Sequence, residues 1–320
     1  MSGRSTRAGE RQRDRSLPCR CPGTCRRTER LDPLLSLKKE ARLAPPMDAP
    51  VTPPQGYTMP FSPEGRASLV DHPPWHFASD VIQVVLRVDA GEVARLLPPP
   101  LEPGPEPDRI SIRVTEVISV SDGDADLAYR QPEATQYGEA ILTVSCRYKG
   151  EVGVYLPYIW TDHDWSLLRG WLNGWPKKIG QIRMTRLHPL HPKLPFVGPG
   201  ARLGGVLSRH GERVLFAGVT LREPARPEAL PRLGTYFGVR HLPSVDPGAP
   251  ASLHEVVRVQ TQGRKVSDVW KGDGEVRFYS AENEELLPFS RHRIEAAYYF
   301  RSGWTNSGGA LIDRIPPGGP

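Results

Sequence analysis

The sequence predicts a mainly β protein, a β-rich α+β chain folded as a closed or cone-like antiparallel β-barrel with a few short helices. Runs rich in β-branched and aromatic residues recur about ten times, whereas two segments combine helical length with caps. Pro and Gly number 35 and 31 of the 320 residues, without a collagen period, which implies many turns and bulges and few long helices. So many strands with no internal repeat leave edges to hide, and ring closure removes them.

Residues 1–74 show little periodicity, being Arg-rich to Ala44 and Pro/Gly-rich through Pro63. They are expected to form an extension, disordered or draped over the surface, with Met47 a second candidate start. The barrel domain is expected over 75–310 and a Pro/Gly tail over 311–320. Within the domain, Asp80–Arg87 reads as a strand, and Asp89 caps a short helix over Gly91–Leu97 that three prolines stop. Arg109–Val120 alternates apolar and polar residues as a half-buried strand does, and the polar run 121–126 closes it. Gly138–Tyr148 and Glu151–Trp160 flank Lys149-Gly150, a hairpin turn. Asp162 or Asp164 can cap a helix running to about Leu172, where Asn173-Gly174 supplies a left-handed stop. Trp175–Arg186, Arg213–Leu221, Glu255–Thr261, Lys265–Trp270 and Glu275–Tyr279 complete the strands.

The net charge of +6 raises the question of nucleic acid, but its location answers it. Residues 1–46 hold 10 Arg and 2 Lys against 5 acidic residues, so the remainder sums to −1. A nucleic-acid binder carries its basic patch on a folded face, and here the basicity belongs to a leader. The most apolar stretch, Val152 to Thr161, is about half the ~20 residues of a membrane span. No apolar core follows the N-terminal arginines, so a cytoplasmic protein is expected. Cys19, Cys21 and Cys25 lack the paired spacing of a zinc ribbon, and Cys146 reads as a small core residue.

The segment richest in chemistry is Gly174-Trp175-Pro176-Lys177-Lys178-Ile179-Gly180. In an extended chain Trp175, Lys177 and Ile179 share one face, so one lysine emerges between apolar neighbours while Lys178 points away. A lysine titrates near ~10.4, and neutrality at pH 7 needs a shift of about 3 units, which burial can supply. The product is an amine able to form a Schiff base. On spacing alone a solvated lysine pair remains the alternative.

The W-P-K-K-I-G run at 175–180 resembles the aromatic-Pro-Lys-Lys-Leu-Gly signature of the acetoacetate decarboxylase family. Y-K-G at 148–150, the run Tyr158–Asp164, the opening DVIQVVLRVDAGEVARLLPPPLEP and the weaker Leu253–Val257 strand match in order and spacing. The resemblance covers roughly two thirds of the chain and implies a cone-like barrel, a homo-oligomer and Schiff-base chemistry on a small oxo-acid substrate. It implies no metal or organic cofactor. By position, Lys177 becomes the nucleophile, Lys178 its companion and Glu116 an acid/base group, with decarboxylation of acetoacetate or a related 3-oxo acid as the activity.

Two positions depart from the decarboxylase pattern. Ser79 stands where it has an arginine, and Gln136 where it has a second glutamate, with Glu139 three residues later as a substitute. Arg169 and Asn173, eight and four residues before Lys177, resemble the arginine and amide of a divergent branch that condenses pyruvate-like acids with aldehydes and dehydrates the product. Aldolase-dehydratase chemistry is therefore the alternative activity, and a non-catalytic ligand-binding protein the alternative class. Arg169, Asn173, Gln136, Glu139 and Trp175 are the expected substrate contacts.

Other signals carry less. The acidic run Asp122, Asp124, Asp126 has Leu127 where a calcium loop needs Gly. His188 and His191 alternate with prolines and lack a third ligand. Gly198 and Gly200 do not open a helix as a phosphate loop would.

Overall fold

The computed structural model describes residues 53–194, 196–232 and 234–316. The Arg-rich leader with its three cysteines, Met47 and the end of the Pro/Gly tail lie outside the described residues. Twelve strands and three short α-helices follow in chain order: β1 (Trp75–Arg87), α1 (Ala90–Ala94), β2 (Glu102–Pro103), β3 (Arg109–Ser121), α2 (Leu127–Arg130), β4 (Gln136–Tyr148), β5 (Glu151–Thr161), α3 (Asp164–Leu172), β6 (Lys177–Ile179), β7 (Gln181–Met184), β8 (Arg202–Arg209), β9 (Glu212–Pro224), β10 (Thr235–Leu242), β11 (Leu253–Phe278) and β12 (Arg293–Arg314). The protein is mainly β, as its sequence predicts. None of the described helices is long and apolar enough to cross a membrane.

Hydrogen-bonded neighbours run β10-β5-β4-β3-β1-β12-β11, and β10 pairs back onto β11, so these strands close a ring. From β11 the sheet continues through β9, β8 and β7. Pairing is antiparallel except at β5, which takes β6 and the start of β10 in parallel. The length of β11 makes both roles possible. Its first part, Leu253–Val259, pairs with β10, and its last, Trp270–Phe278, pairs with β9. The sequence divides this strand into three runs because Gly263 and the Gly272-Asp273-Gly274 stretch look like turns; Gly263 has positive φ, but it sits at an irregularity inside one continuous strand. The alternation also missed β8, β10 and β12 as strands.

Alternation along the strands gives the sheet two buried faces. Ile82, Val84 and Leu86 of β1, Ile110, Ile112 and Val114 of β3, and Leu142 and Val144 of β4 pack with Leu215, Val219 and Leu221 of β9 in the main apolar core. The intervening residues turn to the other face. There stand Ser79, Gln83, Ser111, Thr115, Glu139 and Thr143, all buried and all polar. Burial of polar side chains is costly unless each finds a partner, so a face of this composition suits a cavity better than a solid core.

Local signals hold where caps and turns decide. Asp89 caps α1 by accepting the Glu92 N–H at 3.0 Å, and Lys149-Gly150 makes the β4–β5 turn with both residues at positive φ. The cap of α3 differs from expectation: its N-cap is His163, without a side-chain bond, and Asp164 lies in the first turn. Asp162 is drawn away because it accepts the Gly138 N–H of β4 at 2.8 Å. The segment 53–74 has no helix or strand beyond a bridge between Gln55 and Ser62, yet it buries Val70. At the other end, residues 311–314 continue β12, with Arg314 opposite Glu255, where a tail was expected.

Candidate active site

The site grows from the junction of α3 and β6. Ser166, Arg169, Gly170 and Asn173 recur at i, i+3, i+4 and i+7, so they share one helix face, and the structure buries the first three within α3 and Asn173 at its cap. Gly174 then reverses the chain with φ +72°, as the Asn-Gly stop predicts. The return lays β6 parallel to β5, with Lys177 opposite Ile159. Trp171 fixes the turn by donating its indole N–H to the Lys177 carbonyl at 3.0 Å.

Lys177 is 4% exposed. Its stem lies against the backbone of α3, where a Cβ on Gly170 would come within 2.5 Å of Lys177 Cγ. Only glycine leaves that room. The ammonium donates to Glu139 of β4 and to Ser166 Oγ, the latter at 3.0 Å, and sits 5.4 Å from the centroid of the Tyr137 ring. Burial lowers the Lys177 pKa from its ordinary value; the charge of Glu139 opposes this, and Arg169 adds to it. The amine is therefore easier to deprotonate than a surface lysine, with a carboxylate in contact to take the proton.

Arg169 is 7% exposed and has no carboxylate of its own among the described residues. It donates to Ser119 Oγ at 2.9 Å and Tyr137 Oη at 3.4 Å, within rings of Trp75, Phe77, Tyr137 and Trp165 whose centroids lie 4.7–5.8 Å from its guanidinium carbon. Asn173 donates to the Arg169 carbonyl at 3.0 Å. Arg169, Asn173, Phe77 and Tyr137 line one cavity of about 90 Å³ together with Lys177, Glu139 and Trp175. That is well below the roughly 300–1,000 Å³ typical of pockets for drug-sized ligands, so a smaller molecule suits it. The indole N–H of Trp175 is buried without a partner, leaving a donor at the wall.

The structure thus brings together Lys177, Glu139, Arg169, Asn173 and Trp175. It does not bring in Lys178, Glu116 or Gln136. Lys178, on the opposite face of β6, pairs with Glu284 and lies over Tyr158 and Trp160. Glu116 pairs with Arg186 and lines, with Gln136, an open groove that shares only Ser79, Val117, Tyr137 and Ser302 with the cavity wall. The cause is strand alternation: Thr115, not Glu116, faces inward opposite Glu139. Ile179, expected beside Lys177, is 46% exposed, because β6 is three residues long and has left the cavity by then.

Sequence reasoning missed Ser166, Tyr137 and the half-buried Arg113. The helix-face spacing of Ser166 with Arg169 and the two-residue spacing of Tyr137 with Glu139 would have found the first two. Cys146 is a buried core thiol, pushed up to about 12 by burial. Among the described residues no three His, Cys, Asp or Glu side chains converge to hold a metal ion.

The sequence profile of the acetoacetate decarboxylase family matches residues 58–315. The chain belongs to the acetoacetate decarboxylase family. No curated protein matches the sequence. Among solved structures, an acetoacetate decarboxylase-like enzyme from Sphingomonas wittichii RW1 is 31% identical, with 82% of this chain and 100% of that one covered and a TM-score of 0.76. The enduracididine biosynthesis enzyme MppR, solved with pyruvate, is 29% identical over 82% of this chain and 99% of its own, with a TM-score of 0.74. MppR has also been solved with the condensation product of pyruvate and imidazole 4-carboxaldehyde. The acetoacetate decarboxylase of Legionella pneumophila, 18% identical with a TM-score of 0.62 over 77% of this chain and 89% of its own, shares the fold.

Proposed function

We propose that this family member is a Schiff-base lyase acting on a small oxo acid through Lys177, and that pyruvate-like acids undergoing aldol condensation and dehydration fit it best. The observation that carries the reading is one buried cavity holding the Lys177 amine against Glu139, with the Arg169 guanidinium, which meets no carboxylate among the described residues, in the same wall. An arginine without a carboxylate is a ready bidentate partner for the substrate's own. The pyruvate complex of a relative 29% identical supports the same substrate class.

The chemistry follows from these groups. Glu139 accepts a proton from the Lys177 ammonium, and the free amine adds to the ketone carbon. The hydroxyl this forms takes that proton back from Glu139 and leaves as water, giving a protonated imine that withdraws electrons from the neighbouring carbon. Loss of a proton from that carbon, with Glu139 as the base within reach, gives an enamine. The enamine carbon forms a bond to an aldehyde carbon, whose oxygen takes a proton and later leaves as water. Hydrolysis of the imine frees Lys177 and an unsaturated 2-oxo acid.

Decarboxylation of a 3-oxo acid is the second reading, favoured by the family profile over residues 58–315. It uses the same imine, which receives the electron pair released with carbon dioxide. Ser79 and Gln136 weigh against it, since each replaces a charged group of the decarboxylase pattern. Borohydride reduction after incubation with pyruvate or acetoacetate tests both. Mass added at Lys177 with pyruvate, and an unsaturated product when an aldehyde is supplied, is the expected result. Carbon dioxide release from acetoacetate without condensation selects the second reading, and no label with either acid overturns both.

A further inference from the structure

The same cavity wall holds two more arginines, Arg113 and Arg264. Along the inward face of β3 stand Ser119, which receives Arg169, then Val117, then Thr115 opposite Glu139, then Arg113 opposite Ile141. Alternate residues of a strand are about 7 Å apart, so Arg113 projects one step beyond the level of the Lys177–Glu139 pair, on the side away from Arg169. Arg264 lines the same cavity from β11 and is exposed on its other side. It sits where the pairing with β12 slips between Gln262 and Lys265, next to Gly263 at φ +60°; the slip releases Arg264 from the ladder.

Neither arginine makes an ion pair among the described residues, although Arg87, Arg109, Arg209, Arg240 and Arg258 all do. The one side-chain hydrogen bond of Arg113 is a 3.3 Å contact to Thr143 Oγ1, and its Nε is buried with no partner. The cavity wall therefore carries Arg113, Arg169, Lys177 and Arg264 against the single carboxylate of Glu139. One substrate carboxylate at Arg169 leaves much of this positive charge unanswered. Loss of hydration lowers the Arg264 pKa, and the charge of Arg113 lowers it further against an opposing effect of Tyr236, as befits two cations held together without an anion.

We infer that Arg113 and Arg264 form a second carboxylate subsite, so the enzyme takes reactants with an acid group a few carbons beyond the reacting carbonyl. The acid group belongs either to a dicarboxylic 2-oxo acid that forms the imine or to an aldehyde condensing with it. This rests on the Schiff-base reading of Lys177, which supplies the carbonyl's position.

The test compares molecules that differ only at the tail. Borohydride trapping of Lys177 is titrated with 2-oxoglutarate and with 2-oxopentanoate, which has a methyl group in place of the far carboxylate. In a second arm, pyruvate is condensed with succinic semialdehyde or with butanal. A preference of about ten-fold or more for the acid-tailed member in one arm identifies the source, and Arg264→Met and Arg113→Met should each cut that ratio several-fold. Equal use of both members in both arms, or a ratio unchanged in Arg264→Met, overturns the subsite. If pyruvate fails to label Lys177, the Schiff-base reading fails by itself. Calorimetry with glutarate against pentanoate, neither of which has a ketone, then decides the subsite alone: tighter glutarate binding that Arg264→Met abolishes supports it, and equal binding overturns it.

Discussion

Lys177 and Lys178 are neighbours in sequence with the same side chain, yet they live in different chemistry. Lys177 enters a small cavity against one carboxylate and one hydroxyl, where burial weakens its hold on a proton. Lys178 turns to the opposite face of β6 and meets Glu284, which is buried and also accepts from Trp160 Nε1 at 3.0 Å and Arg209 at 3.4 Å. A carboxylate with three donors is a structural tie, joining β6 to β8 and to the loop before β12. The same amine is thus a candidate nucleophile or a clamp according to which face of a three-residue strand it leaves. Face and burial, not residue type, assign the roles.

The largest effect expected from breaking this comparison is at Lys177. Lys177→Met should abolish borohydride trapping and reduce turnover at least ~10³-fold, since no other amine is in the cavity. Lys178→Met should keep trapping but lower unfolding stability by about 1–3 kcal/mol, because Glu284 loses one of its partners in a buried place. Equal loss of trapping in both variants, with both folded, would erase the distinction.

Next is Glu139→Gln, which tests how the cavity sets the amine's proton affinity. Glu139 raises the Lys177 pKa while burial lowers it. Removing the carboxylate must therefore move the acid limb of trapping to lower pH, while proton transfer slows and kcat falls about 10²-fold. A shift to higher pH would contradict the assignment of cause. Arg169→Met should follow, raising KM for a 2-oxo acid about 10- to 100-fold with a smaller change in kcat, the loss expected for one charge-assisted contact. The smallest effect should come from Glu116→Gln. That side chain pairs with Arg186 in the open groove, so kcat/KM should stay within about 3-fold; a larger loss would move the acid/base group out of the cavity.

How much of this was legible in the sequence depends on the range of the contact. The period of two along 175–179 put Trp175 and Lys177 together and Lys178 apart, and the helix stop at Asn173-Gly174 was readable from residue chemistry alone. The mainly β class followed from strand-like runs and turn residues. What could not be read was which distant strand supplies a partner. Glu139 meets Lys177 across 38 positions through strand register, and Glu284 meets Lys178 across 106 from the loop before β12, and neither contact shows in local pattern. Ring closure through β10 and β11 was likewise invisible as a pairing, because β10 lies between loops and was not recognised. Glu116 shows the cost of position without register. One residue along β3 separates the cavity face from the groove, and alternation cannot say which face is which until β4 is paired to it.

The account turns on the proton affinity of one buried amine. Reductive trapping with pyruvate, followed across pH and resolved by peptide mass for both lysines in one sample, measures it directly. The predicted result is a label confined to Lys177, rising to its plateau with a midpoint below 10.5, the ordinary lysine value. A label on Lys178, or a midpoint for Lys177 at or above that value, would contradict it.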